Sequence, residues 1–272
     1  MQLVPSPYLS NIVKHFLILE SDEDGIADHR LFPDGNPGMV FHYGDPFCQY
    51  AAGTMLPFTH PRSFIYGQVS KFQHIVSAGK TGMLIVVLQP DGLHTLLGIP
   101  AYELMDAIVS LQNIWGRAAK ELEAKVLNIS DNLLRIQLIE DFLLKKRNKC
   151  NPHDTTVKNS LHLIYQHHGQ LQVNELTKHL QISERQLERT FRENIGITPK
   201  HFSNIIKLHY FLKTLQRKSS AENLTQLVYE CGYYDQAHLI RAFKKNVGLT
   251  PRQYLFKTHL LAVNFIQFPV AG

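Results

Sequence analysis

The pattern Gly-x-Thr-Pro occurs twice, at residues 196–199 and 248–251, 52 positions apart. Leu187, Arg189 and Phe191 ahead of the first copy recur at the same shift as Leu239, Arg241 and Phe243. Glycine admits the left-handed conformation that ends a helix. Threonine can cap the next helix through its hydroxyl, and proline fits the first helical position, where no N–H is needed. Each copy therefore predicts a helix stop followed at once by a helix start. A helical unit present only twice is too few for a solenoid, which stacks about three or more. The spacing predicts a matched pair of modules.

A helix-turn-helix pattern precedes each stop. In the first, Val173, Leu176 and Leu180 share one face, residues 181–183 make a turn with Ser183 as N-cap, and Leu187 and Phe191 bury the next helix. In the second, Leu224, Leu227, Val228 and Cys231 form the scaffold, residues 232–235 the turn, and Leu239 and Phe243 the buried side. The units are expected over 173–194 and 224–247. One helix from Pro199 to about Arg217 should join them, with Phe202, Ile205, Ile206, His209 and Leu212 facing inward. Nineteen residues span roughly 28 Å, near the one-turn separation of about 34 Å between successive major-groove segments.

The outward faces are cationic. Arg185, Arg189 and Arg192 form one stripe, matched by Ala237, Arg241 and Lys244. Arginine and glutamine near the start of such a helix can reach base edges, and later cations favour phosphates. Arg185, Gln186 and Arg189 are expected to read bases in one groove segment, with Glu188 accepting from a cytosine amine or staying solvated. Gln236, Ala237, Ile240 and Arg241 occupy the next, where Ala237 and Ile240 can meet thymine methyls. Arg192, Lys244 and Lys245 are assigned to phosphates. One such helix alone reads more simply as a solvated basic face; two in register point to DNA.

Residues 158–257 resemble the DNA-binding domain of the AraC/XylS transcription regulators. The resemblance rests on Gly232-Tyr233-Tyr234-Asp235-Gln236-Ala237-His238-Leu239, Arg241-Ala242-Phe243-Lys244-Lys245 and Gly248-Leu249-Thr250-Pro251-Arg252-Gln253-Tyr254. It implies an all-α domain with two helix-turn-helix units, a double-stranded DNA operator as partner, and regulation of transcription, activation being usual. RNA polymerase, a small-molecule effector of unknown identity and a second copy of the chain are the further partners such a protein can have.

Charge divides the chain at the same place. Residues 151–272 carry 15 Lys and Arg against 8 Asp and Glu, while residues 1–150 carry 13 against 15. A basic module behind a slightly acidic partner domain fits this balance. The longest wholly apolar run, 83–88, is far short of a membrane span. With no charged-then-apolar leader the chain reads as cytoplasmic. Cys48, Cys150 and Cys231 are few, odd in number and scattered, which suggests reduced thiols.

The N-terminal half reads as α+β. Strand-like runs at 15–20, 39–43, 64–66, 72–76 and 83–89, divided by Gly, Pro and Asp, predict a small antiparallel barrel or curved sheet. Helices are expected at 101–111, 117–126 and 132–146. The domains are placed at 1–147 (regulatory), 148–157 (linker) and 158–257 (DNA-binding), with 258–272 as a tail. Phe32-Pro33-Asp34-Gly35, Val40-Phe41-His42-Tyr43-Gly44-Asp45, Gly67-Gln68 and residues 89–98 resemble a sensor-like domain often fused to AraC-type modules. Pro33-Asp34-Gly35 alone reads as a tight turn. Phe41, Tyr43, Phe72 and Leu84 are candidates for an apolar ligand pocket, although aromatics there can equally fill a core.

No metal or other cofactor is expected. His42, His60, His74 and His94 lack the ligand spacing of a metal-dependent barrel. His167 and His168 are adjacent and point apart on a helix. Two alternatives to a ligand-responsive regulator remain: a DNA-directed enzyme such as an alkyl-transfer repair protein, and a ligand-free architectural DNA-binding protein. The first needs an activated cysteine in a cationic or metal site; Cys48 has no such neighbours in sequence, and Cys150, which follows Lys149, stands in a run without a paired metal ligand. The chain is therefore read as non-enzymatic.

Overall fold

A computed structural model describes residues 1–22, 25–50, 57–147, 155–218, 224–257 and 259–268. Among the described residues, two antiparallel sheets of six strands each are built from the N-terminal half and two strands from the C-terminal end. The first runs β1 (Gln2–Leu3), β2 (Val13–Ser21), β9 (Thr81–Leu88), β4 (Gly38–His42), β7 (Ser63–Tyr66), β10 (Ile108–Ser110). The second runs β11 (His259–Ala262), β12 (Phe265–Gln267), β3 (Ile26–Leu31), β8 (Gln73–Ala78), β5 (Cys48–Tyr50), β6 (Pro57–Thr59).

The centre of the first sheet is covered on both faces, which is why β4 and β9 read as continuous apolar runs. Successive side chains on a strand point to opposite faces. Phe16, Met39, Phe41, Leu84 and Val86 meet the helices, while Val40, Phe64 and Met83 meet Phe47, Ile75 and Phe265 toward the second sheet. The helical cover includes α1 (Gly92–Leu97), α2 (Leu111–Trp115), α3 (Arg117–Asn128) and α4 (Asn132–Lys146), which contribute Leu93, Leu111, Leu122 and Ile139. All five expected strand segments overlap observed strands. The helix expected over 101–111 does not form. A 3-10 turn, Ala101–Leu104, is followed by Asp106 at φ +56° and then by β10, where Ile108 and Val109 pair with Tyr66 and Ile65. The β-branched pair completes the sheet edge, and tertiary pairing overrides a weak helical pattern.

The remaining described helices are α5 (Thr155–Gln166), α6 (Val173–Leu180), α7 (Glu184–Asn194), α8 (Pro199–Lys218), α9 (Leu224–Glu230), α10 (Gln236–Val247) and α11 (Pro251–Lys257). As expected, α8 is one connecting helix. Phe202, Ile205 and Ile206 enter the first module's core with Leu176, Leu187 and Phe191. Leu208, Phe211, Leu212 and Leu215 enter the second with Leu227, Val228, Leu239 and Phe243. His209 is buried between them. Of the expected linker at 148–157, residues 148–154 lie outside the described residues and residues 155–157 belong to α5.

Residues 258–272 were expected as a tail after the DNA-binding domain; their described part instead returns to the N-terminal half. Strand β12 pairs with β3, Phe265 opposite Leu31 and Gln267 opposite His29. Asn264 fixes the register: its carbonyl accepts from Phe32 N at 3.0 Å, and its side-chain amide donates to Phe32 O at 3.1 Å. Phe265 enters the inter-sheet core and Ile266 the second module's core. The apolar alternation of 259–267 carries this signal, but its strand partner lies too far back for a local pattern to reveal. No described helix is long and apolar enough to cross a membrane.

Candidate nucleic-acid interface and effector cavity

Helix α7 starts at Ser183, whose side-chain oxygen accepts from Gln186 N at 3.2 Å. Helix α10 starts at Asp235, which accepts from His238 N at 2.6 Å. Both stops are as expected. Gly196 and Gly248 sit at φ +95° and +73°, and Thr198 and Thr250 accept from His201 N and Gln253 N at 3.2 Å each. These contacts set the rotation of each helix. Leu187, Phe191, Leu239 and Phe243 are fully buried. Arg185, Gln186, Glu188, Arg189 and Arg192 are all exposed, as are Gln236, Ala237, Arg241, Lys244 and Lys245. Ile240 is half-buried.

The first helix-turn-helix also touches the N-terminal domain. Helix α7 packs on the 101–104 turn and on α1. At Gly196 a Cβ would lie 3.0 Å from Ala101 O. The loop after β3 is the second point of contact, and sequence reasoning gave it only a turn. That turn is present: Asn36 N donates to Asp34 Oδ1 at 3.0 Å, and Gly35 has φ +79°. A Cβ on Gly35 would lie 2.8 Å from the Phe202 ring, so the turn presses on α8. His209 Nε2 donates to Pro33 O at 2.8 Å. Phe32 is fully buried in the second module's core, with ring centroids 5.9 Å from His209 and 6.4 Å from Tyr254.

A cavity of about 890 Å³ opens beside these contacts. Its inner wall includes Val40, His42, Phe47, His60, Phe64 and Met83; its outer end includes Lys14, His15, Asp34, His209, Tyr210 and Lys213. Asn264 and Phe265 close part of it. Lys14 donates to Asn36 Oδ1 at 3.3 Å. Burial lowers the Lys14 pKa, opposed by Asp34 and reinforced by the like charge of Lys213. Burial likewise lowers His209 and His15. The outer end thus sets two surface lysines, Lys14 and Lys213, beside one carboxylate, Asp34.

The four sequence candidates for a pocket do not line this cavity. Phe41 and Leu84 face the helical layer. Tyr43 donates to Glu20 at 2.6 Å beneath the Arg135 guanidinium. Phe72 is partly exposed against Arg30 and the α10 terminus. The cavity takes the other parity of the same strands, Val40 and His42 on β4 and Met83 and Ile85 on β9. A sheet apolar on both faces does not reveal which parity faces a cavity. The polar His42 within an apolar strand was the available signal.

Burial lowers the pKa of His42 to about 3 and of His29 and His60 to about 4. These values lie below the unfolded value of about 6.5, so the unfolded chain binds more protons in between. Stability is expected to be full above about pH 6.5 and to fall as pH drops toward 4, by up to about 1.4 kcal/mol per pH unit per histidine. Urea unfolding from pH 7.5 to 5 measures the slope, which His42→Phe should reduce. An unchanged slope would show that His42 does not contribute. Among the described residues no group of three or more His, Cys, Asp or Glu is arranged to hold a metal. Cys231 is buried and Cys48 contacts Thr59 at 3.5 Å; Cys150 lies outside the described residues.

Two family models match the chain: a domain of unknown function (DUF6597) at residues 1–110 and a helix-turn-helix domain at 176–256. Among curated proteins, the HTH-type transcriptional regulator ArgR of Pseudomonas aeruginosa is 28% identical over 83 residues, 30% of this chain and 25% of that protein. An uncharacterized HTH-type transcriptional regulator of Staphylococcus aureus is 29% identical over 87 residues, 32% of this chain and 11% of the relative. The chain thus spans a quarter or less of the length of these curated relatives. Among solved structures, ToxT from Vibrio cholerae has a TM-score of 0.50 at 11% identity, covering 89% of this chain and 98% of that one. ToxT bound to (E)-4-(8-methylnaphthalen-1-yl)but-3-enoic acid also scores 0.50, at 11% identity and 89% and 97% coverage. The ToxT likeness speaks for the fold alone. Family-model match and twin capped-helix geometry agree that residues 176–256 form a helix-turn-helix domain, similar to those of HTH-type transcriptional regulators.

Proposed function

We propose that the chain is a sequence-specific transcription regulator in which α7 and α10 read successive major-groove segments of one double-stranded operator. The observation that carries this reading is the pair of exposed, similarly capped helices at the two ends of a single 20-residue helix. At about 1.5 Å per residue α8 is roughly 30 Å long, close to one DNA turn of about 34 Å. Arg185, Gln186, Arg189, Gln236, Ala237, Ile240 and Arg241 face bases, with Glu188 beside them; Arg192, Lys244 and Lys245 face phosphates. Half-burial of Ile240 restricts it to a methyl contact at the edge of the groove.

The N-terminal half is the effector domain in this proposal. An acid bound in the Lys14–Lys213 corner would meet both domains at once. Only a ligand with different affinity for two domain arrangements can shift their balance. The carboxylate ligand in the ToxT complex supports an acidic effector class, and the two lysines on facing domains supply the charge complement. Activation is the expected direction.

The test is selection of bound DNA from a random pool by the full chain, followed by footprinting. A footprint over two successive groove segments is expected; protection of one segment alone would refute the two-helix reading. Arg189→Ala should cost about 1–3 kcal/mol and relax preference at one base position. Lys245→Ala should weaken all sequences alike and flatten the salt slope by about one unit. The reverse pattern would mean the two roles are exchanged.

A further inference from the structure

The inner wall of the cavity carries polar chemistry that DNA binding does not use. His42 ends β4, is 1% exposed and lines the cavity, yet neither of its ring nitrogens has a hydrogen-bond partner in the protein. Its ring packs among Phe47, Phe64 and His60, with centroids at 5.4, 5.9 and 6.1 Å. Buried polar atoms are as a rule paired, because stripping water from them without replacement is costly. Phenylalanine would fill this aromatic wall without that cost. His60, also buried, is held by Gln49 Oε1 at 3.1 Å from its Nε2. Burial keeps both imidazoles neutral.

A neutral imidazole presents one N–H donor and one acceptor nitrogen. A hydroxyl has the same two capacities and matches it. A carboxylate only accepts and an ammonium only donates, so neither meets both capacities; Arg62, the nearby cation, donates to the His42 and Gly44 carbonyls and does not line the cavity. The stretch between this wall and the Lys14–Lys213 corner is lined by Ile85, Val87 and Phe265 among others, and suits an apolar body.

We infer that the cavity takes an amphipathic hydroxy acid, its carboxylate toward Lys14 and Lys213 and its hydroxyl against His42. The inference rests on the effector reading above and adds a second, uncharged recognition point to it. It also sets specificity: a site built to hydrogen-bond a hydroxyl rejects an analogue that lacks it far better than an apolar site can.

The experiment measures Kd by calorimetry for the full chain with ω-hydroxy acids of eight to sixteen carbons, the unsubstituted acids and the 1-alkanols of the same lengths. At least one hydroxy acid should bind about tenfold tighter than its unsubstituted partner, and His42→Phe should remove that preference. Nitrogen-15 imidazole spectra of the wild type provide a reading that does not depend on the variant folding. The hydroxy acid should move the His42 ring nitrogens, and the plain acid should not. Equal affinity of the paired acids in the wild type, or the same preference in wild type and His42→Phe, overturns the inference while leaving the acidic-effector reading intact. Alkanol binding that depends on His42, with no acid bound, supports the hydroxyl contact and overturns the acidic end. No binding by any of the three series overturns both.

Discussion

Ending the chain after Lys257 is expected to destabilise the N-terminal domain and to loosen its hold on the helical half. Phe265 and Ile266 are buried in two different cores. Burial of two such side chains stabilises by about 3–6 kcal/mol, comparable to a large fraction of a domain's total stability of about 5–15 kcal/mol. The loss also bares the outer edge of β3 and removes Leu261, Ala262, Val263, Asn264 and Phe265 from the cavity wall. Urea unfolding should show the lowered midpoint, and small-angle scattering a larger radius of gyration. An unchanged midpoint and radius would mean that β12 is dispensable to both domains.

Phe32→Ala is expected to separate the two halves thermodynamically. The side chain belongs by sequence to the N-terminal domain but lies fully buried among Leu208, Phe211, Tyr254 and Ile266. Removing a buried phenylalanine costs about 3–5 kcal/mol through lost transfer energy and the cavity left behind. Here the cost falls on the junction. Calorimetry of the wild type should give one cooperative transition, and Phe32→Ala two. Phe41→Ala is the control: it empties a comparable site inside the N-terminal core alone and should lower the transition without dividing it. If both variants behave alike, Phe32 is an ordinary core residue and the domains are coupled elsewhere.

The helical half was legible because its signals are local. Helix stops, caps and i, i+4 burial at Leu187/Phe191 and Leu239/Phe243 depend on residues within a few positions of one another. Strands β2, β4, β7 and β9 of the first sheet and β8 of the second were visible as segments for the same reason. What stayed hidden depends on distance along the chain. Phe32 reads as one more apolar residue before a turn, and only the fold brings it to Tyr254. The tail strands need β3, and the cavity needs the parity of β4, which its two apolar faces conceal. The sequence around His42 shows only that metal-ligand spacing is missing; the absence of partners for its ring nitrogens is a property of three-dimensional packing that no spacing expresses.

The pairing of β12 with β3 has a consequence for how the chain is made. Asn264 and Phe32 are 232 residues apart. At about 5–20 residues per second on the ribosome, domains begin to fold from the N-terminal side as they emerge. The second sheet must therefore wait roughly 12–46 s with the backbone donors and acceptors of β3 unpaired on that side. An open strand edge is a template for other chains. During synthesis the nascent protein exposes this edge long after the rest of the sheet exists, so its yield should depend on translation speed and on chaperones that shield strands.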